Sequence, residues 1–272
     1  MSAYTPPVRR YGKGHGYVDA NGIKVPGVTT ILGDGLPKKA LINWAGNATA
    51  EYAVDNWDEL ATMSPSARMK KLQGGRYEIR DAAANRGTQV HALAERLITG
   101  EEVDVPDPLA GHVESYVRFL DEWQPNPVLA EAIVMSHKHG YAGTLDLVAD
   151  IPGRGRALMD IKTSRSGIFG ETALQVAAYR YADVYLDETG DEPAELPMLD
   201  VDEVIAIHVR ADGYDLRPLV SGPAQMREFL YAREIARFAE DNSRGYVGEA
   251  LTPPHAMKRR RLEILPDLKE SA

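Results

Sequence analysis

The spacing of apolar residues changes along this chain, and each change marks an element. From Asp81 to Thr99, Val90, Leu93, Ala94, Leu97 and Ile98 fall at i, i+3, i+4, i+7 and i+8, the stripe of a helix with one buried face. Similar spacing predicts helices over Lys38–Leu60, Asp107–Trp123, Glu171–Leu186 and Ala224–Asn242, and basic Pro65–Arg80 reads as a helix leading into Asp81–Thr99. The period then shortens. Val128–Ser136 predicts a strand, and two apolar runs between Gly143 and Lys162, parted by the Ile151–Arg156 turn cluster, predict a hairpin. Glu203–Arg210 and Tyr214–Val220 flank Ala211-Asp212-Gly213 as a second hairpin.

The remaining stretches lack such a period. Met1–Gly35, rich in Gly, Pro and Tyr, reads as an irregular arm with a hairpin at Asn21-Gly22, and Asp187–Pro197 reads as an acidic loop. The order is helices, then three strands, a helix, two strands and a helix. That predicts an α/β fold, a mixed sheet flanked by helices with a helical N-terminal region. The expected division is an arm and helical region over 1–80, a core over 81–250 and a mobile basic tail over 251–272.

Composition narrows the function classes. The 272 residues include no cysteine, which excludes disulfides, thiolate zinc sites and a Cys-ligated iron–sulfur cluster. No apolar run approaches the ~18 residues of a membrane span, and Met1–Arg10 carries no signal-peptide core, so a cytoplasmic setting is expected. The net charge of −9 is unevenly spread. Nine acidic residues and no Lys or Arg lie between Asp183 and Glu203, so the rest of the chain is formally neutral. Basic residues gather at Arg9–Lys39, at Arg68–Arg86 and at Lys258–Arg261. A polyanion therefore remains an eligible partner, approached away from the acidic segment.

Ionisable residues interrupt the central hairpin. Asp146 lies in its first run, and Asp160 and Lys162 lie two apart at the end of its second, hence on one face of a strand. Alone, Asp160 and Lys162 would read as an exposed edge-strand ion pair contributing well under ~1 kcal/mol. Their company changes that reading. Glu131 sits on the preceding strand, His91 on the shoulder of the Asp81–Thr99 stripe with Glu95 one turn on, and Gln175 and Tyr179 four apart on the following helix. Carboxylates with one imidazole suit Mg²⁺ or Mn²⁺, and an adjacent ammonium suits charge developing on a phosphate. Together these parts describe metal-dependent phosphodiester hydrolysis.

The motifs R-G-T-x-V-H-x-x-x-E (Arg86, Gly87, Thr88, Val90, His91, Glu95), G-T-x-D (Gly143, Thr144, Asp146), D-x-K-T (Asp160, Lys162, Thr163) and Q-x-x-x-Y (Gln175, Tyr179) resemble, in order, those of the PD-(D/E)XK nuclease superfamily, closest to RecB-type and Cas4-like exonucleases. The resemblance spans about Arg86 to Tyr185. It implies a restriction-endonuclease-like core with His91, Asp146, Asp160 and the Ile161 carbonyl as Mg²⁺ or Mn²⁺ ligands. It implies Lys162 as the catalytic lysine, and Gln175 and Tyr179 as residues that position DNA or the site. Glu131 and Glu95 would support the metal site, and Arg86, Thr163 and Tyr179 would face DNA. Many such relatives carry cluster-binding cysteines, which this chain lacks. Val25–Thr30, with Lys38 and Trp44 behind it, is similar to stand-alone phage-encoded members, which would place the protein in the host cytoplasm.

The expected function is a metal-dependent DNA exonuclease of recombination, repair or end-processing, acting on single-stranded or duplex ends. A structure-specific endonuclease or resolvase would use the same residues, and a catalytically silent DNA-binding subunit is the non-enzymatic alternative. No nucleotide-binding P-loop is present, so a helicase or recombinase partner would be a separate chain. An oligomer is compatible with the sequence, which marks no subunit interface.

Overall fold

Residues 9–11, 16–37, 39–239 and 245–251 are described by a computed structural model of the chain. A three-stranded sheet comes first, β1 (Arg9–Tyr11), β2 (Gly16–Val18) and β3 (Lys24–Val25). Helices α1 (Val28–Gly35), α2 (Lys39–Asp55), α3 (Trp57–Thr62), α4 (Pro65–Ile98) and α5 (Ala110–Trp123) follow. Then come β4 (Asn126–Ser136), β5 (Tyr141–Ile151), β6 (Gly155–Lys162), α6 (Glu171–Arg180), β7 (Val184–Asp187), β8 (Ala194–Pro197), β9 (Glu203–Arg210), β10 (Gly213–Pro218) and α7 (Pro223–Arg237).

The larger sheet has seven strands in the order β10-β9-β6-β5-β4-β7-β8. β6 and β9 run parallel and the other neighbours run antiparallel, so the sheet is mixed. Both faces are covered. On one, Val28 and Ile31 of α1, Val176 and Tyr179 of α6 and Phe229 of α7 pack on Tyr141, Leu145, Val148 and Leu158. On the other, Ala94 of α4 and Tyr116 and Phe119 of α5 pack on Leu147, Met159, Ile161, Ile205 and Ile207. Alternate residues of β6 thus serve alternate cores, which is why the strand reads as almost continuously apolar.

The helix expected over Lys38–Leu60 is broken at Asn56 into α2 and α3; the other periodic segments form as expected, with four further differences. Val28–Gly35, expected within an irregular arm, is helix α1, whose Val28, Ile31 and Leu32 are buried in the main core. The N-terminal segment also reaches the sheet, where the Ala142 amide donates to the Pro26 carbonyl at 3.1 Å. The helix expected to reach Leu186 ends at Arg180, and Val184–Asp187 is strand β7 instead. Asp183 makes this turn: its backbone amide donates to the Met135 carbonyl at 2.9 Å, and its carboxylate accepts from Ser136 Oγ and the Lys138 amide. Tyr185 and Val184 then pair with the open side of β4. Within the stretch expected as an acidic loop, Ala194–Pro197 pairs with β7 as strand β8.

The fourth difference is at residue 80, the expected boundary between helical region and core. Helix α4 runs unbroken across it for 34 residues, started by Pro65 and by the Ser64 side chain accepting from the Ala67 amide. The expected mobile tail falls, beyond residue 251, outside the described residues. No helix is long and apolar enough to cross a membrane among the described residues.

Candidate metal and phosphoryl-transfer site

The site forms where β5 and β6 part. Their register runs from Ile151↔Gly155 to Leu147↔Met159 and stops there. One step further the Ile161 amide donates to the Asp146 carboxylate at 2.6 Å. A side chain thus takes a backbone donor that the ladder would otherwise use, and the strands open around it.

A second irregularity faces it across the sheet. Ala130 pairs with Leu147 and Ala132 with Leu145, so Glu131 lies opposite Asp146. Glu131 has φ of 48°, a left-handed conformation that costs a non-glycine residue ~1–3 kcal/mol. The neighbouring strand is irregular too, since Leu145 and Leu147 pack into opposite cores although two residues apart. These two kinks turn the carboxylates of Glu131 and Asp146 toward α4.

His91 of α4 receives them. Its Nδ1 lies 3.4 Å from Asp146 Oδ1 and 3.8 Å from Glu131 Oε1. One ligand atom from each of the three residues lies within 4.8 Å of the others, a grouping able to hold a metal ion. Burial opposes a charge on the imidazole, but the two carboxylates outweigh it and push its pKa up to about 10. Burial would also raise Asp146, yet His91, Lys162 and the Ile161 amide hold it below the ordinary carboxylate range.

Asp160 occupies the other side of β6. It is 1% exposed, and its Oδ2 lies 2.7 Å from Lys162 Nζ, outside hydrogen-bond alignment. Its Oδ1 accepts from Gln175 Nε2 at 3.1 Å. Gln175 also accepts from Lys162 Nζ at 3.2 Å and donates to the Tyr179 hydroxyl at 3.1 Å. One amide therefore orients the carboxylate, the ammonium and the phenol. Burial pushes Asp160 up to about 6, helped by the Asp146 charge and opposed by Lys162. Burial disfavours the Lys162 ammonium, but Asp160, Asp146 and Glu171 more than restore it and raise its pKa. An exposed ion pair would show none of this. A buried carboxylate beside a half-buried ammonium in a sheet is costly to desolvate, and such groups concentrate at functional sites.

Two glycines of the motifs have steric reasons. A Cβ on Gly143 would lie 2.5 Å from Tyr179 Cε1, so this residue admits the ring that Gln175 holds. A Cβ on Gly87 would lie 3.3 Å from Thr163 Oγ1, so this turn of α4 passes close to the end of β6. The Thr144 hydroxyl meets the buried Tyr17 hydroxyl at 2.9 Å.

The structure thus brings His91, Glu131 and Asp146 into one group and Asp160, Lys162, Gln175 and Tyr179 into a second, joined through Asp146 and the Ile161 amide. Glu131, expected in support, sits with the ligand-type residues. Glu95 lies one helical turn beyond His91, and its carbonyl accepts from the Thr99 amide and hydroxyl. The donor set fits Mg²⁺ or Mn²⁺: oxygen and imidazole ligands of net negative charge, with a buried Asp160 oxygen lacking an aligned donor. No protein-family model matches this chain, and no curated protein matches it. The fold and site define a mixed α/β protein with a buried acidic site at the split of two central strands.

Proposed function

We propose that this chain is a metal-dependent deoxyribonuclease of the PD-(D/E)XK type, working as an exonuclease on DNA ends. The observation that carries the reading is the pair of buried Asp160 and half-buried Lys162, set by Gln175 and backed by Asp146 with His91 and Glu131. His91, Glu131 and Asp146, with Asp160 adjoining, would hold Mg²⁺ or Mn²⁺. When bound, such an ion polarises a phosphoryl oxygen and lowers the pKa of a coordinated water. Lys162 supplies a fixed cation beside the position where phosphate charge grows, at no reorganisation cost. Gln175 keeps that ammonium and the Asp160 carboxylate in register, and Tyr179 braces Gln175. Arg86, next to Gly87 on the turn of α4 that passes Thr163, adds a second cation for the DNA backbone.

The test is a time course on end-labelled linear DNA and on closed circular DNA with Mg²⁺, Mn²⁺ or EDTA. The reading predicts loss of the linear substrate with either metal, none with EDTA, and survival of the circle. Cutting of the circle would favour a structure-specific endonuclease, and metal-independent binding without cleavage a silent DNA-binding subunit.

A further inference from the structure

A cleft of about 490 Å³ opens on the same face of the sheet as Lys162, toward the β10 edge. Its position follows from the register. Lys162 pairs with His208 on β9, and His208 pairs with Asp215 on β10, so the three residues form one row across adjacent strands. At the ~4.8 Å strand spacing, the row carries the site's face about 10 Å outward. The loop from Ser164 to Gly170, which leaves the sheet immediately after Lys162 and Thr163, forms the opposite wall.

The lining combines cations with one exposed aromatic ring. Phe169 stands at the lip, 55% exposed. Arg210 and Arg217 share the Asp215 carboxylate at 2.8 and 3.3 Å, and Arg217 remains 62% exposed in its side chain. Asp212, itself 86% exposed, is a second and looser partner of Arg210 at 3.4 Å. His208 fixes the geometry: its Nε2 donates to the Ser164 carbonyl at 2.8 Å, and its Nδ1 accepts from Arg210 at 3.2 Å. One buried imidazole therefore anchors both the loop that carries Phe169 and the arginine pair. No element of the metal site requires this arrangement.

We infer that this cleft binds the unpaired DNA strand next to the bond being cut, with a base stacked on Phe169 and its phosphates met by Arg210 and Arg217. This rests on the nuclease reading and specifies its substrate as an unpaired end. An exposed aromatic ring beside guanidinium groups is the chemistry that recognises single strands without sequence preference. A base inside a duplex is already stacked on both faces and offers Phe169 no surface. His208 in the cleft wall pairs with Lys162 on the neighbouring strand, so a strand lying in the cleft is led toward the catalytic row.

The test is fluorescence anisotropy of labelled dT15 in EDTA, where nothing is cleaved, with wild type, Phe169→Ala, Phe169→Trp and Arg217→Gln. Phe169 is too exposed for its truncation to threaten the fold, which circular dichroism verifies. Binding is expected to weaken about tenfold or more in Phe169→Ala, to hold in Phe169→Trp, and to weaken with a shallower salt dependence in Arg217→Gln. Phe169→Ala binding dT15 as tightly as wild type overturns the inference, whatever the cleavage assay shows. Phe169-dependent dT15 binding by a wild-type protein that cleaves nothing with Mn²⁺ sustains the cleft and rejects the nuclease reading.

Discussion

At the scale of residues, the site is an arrangement of opposed costs. His91 is held protonated by Asp146 and Glu131, with its pKa up to about 10, and a metal ion taking its place among them must displace that proton. Between pH 7 and 9, above the pKa of Asp160 near 6, the apparent affinity for Mn²⁺ should therefore climb about tenfold per pH unit. Calorimetric titrations at pH 7, 8 and 9 read this directly, and an affinity flat in pH would remove His91 from the ligand set. Asp160 is the reverse case, an acid whose pKa the fold raises. Its contribution to stability is complete below pH 3.8 and is lost as pH rises through about 6. Asp160→Asn should accordingly melt a few degrees above wild type at pH 8 and near it at pH 4, by scanning calorimetry. Gly143 carries a steric prediction: Gly143→Ala drives a methyl into the Tyr179 ring and should cost ~1–3 kcal/mol in urea unfolding. Part of this placement was legible in the sequence, because D-x-K on a strand and Q-x-x-x-Y on a helix fix which residues share a face. The Glu131 role was less so, since nothing in the residues around it announces φ of 48°.

At the scale of elements, the kink in β4 is the clearest place where the backbone is held against its preference. A glycine in a strand is normally ~0.5–1 kcal/mol worse than alanine. At position 131 the left-handed backbone reverses that order, so Glu131→Gly should be at least as stable as Glu131→Ala while both bind Mn²⁺ more weakly. Chemical denaturation of the pair measures the difference, and the ordinary alanine preference would show that the strand is unstrained. Periodicity alone makes α4, α5, β4 and the β5–β6 hairpin readable. It failed where pairing partners decide. Val184-Tyr185-Leu186 continues the apolar spacing of α6 and becomes a strand only because Val134 and Met135 of β4 have an open side. Val28–Gly35 is one short helix of β-branched character whose burial against α6 and α7, rather than propensity, keeps it helical.

At the scale of the whole molecule, charge and sheet order agree. The acidic segment between Asp183 and Glu203 begins on the β7–β8 side of the sheet, while Arg210 and Arg217 lie at the β10 side. The site on β5 and β6 stands between them, an arrangement that under the proposed nuclease function would favour approach of DNA from the β10 side. The α/β class and the mixed, helix-flanked sheet were readable from element order; the position of the N-terminal helix within the core was not, because its contacts are made with α6 and α7, more than a hundred residues later. The account stands on the Asp160–Lys162 pair. The most direct measurement is the rate at which Lys162→Ala and Asp160→Asn degrade end-labelled linear DNA with Mn²⁺, alongside their melting curves. The account predicts rates lowered ~100- to 10,000-fold in proteins that still melt cooperatively. Wild-type rates from either folded variant would contradict it.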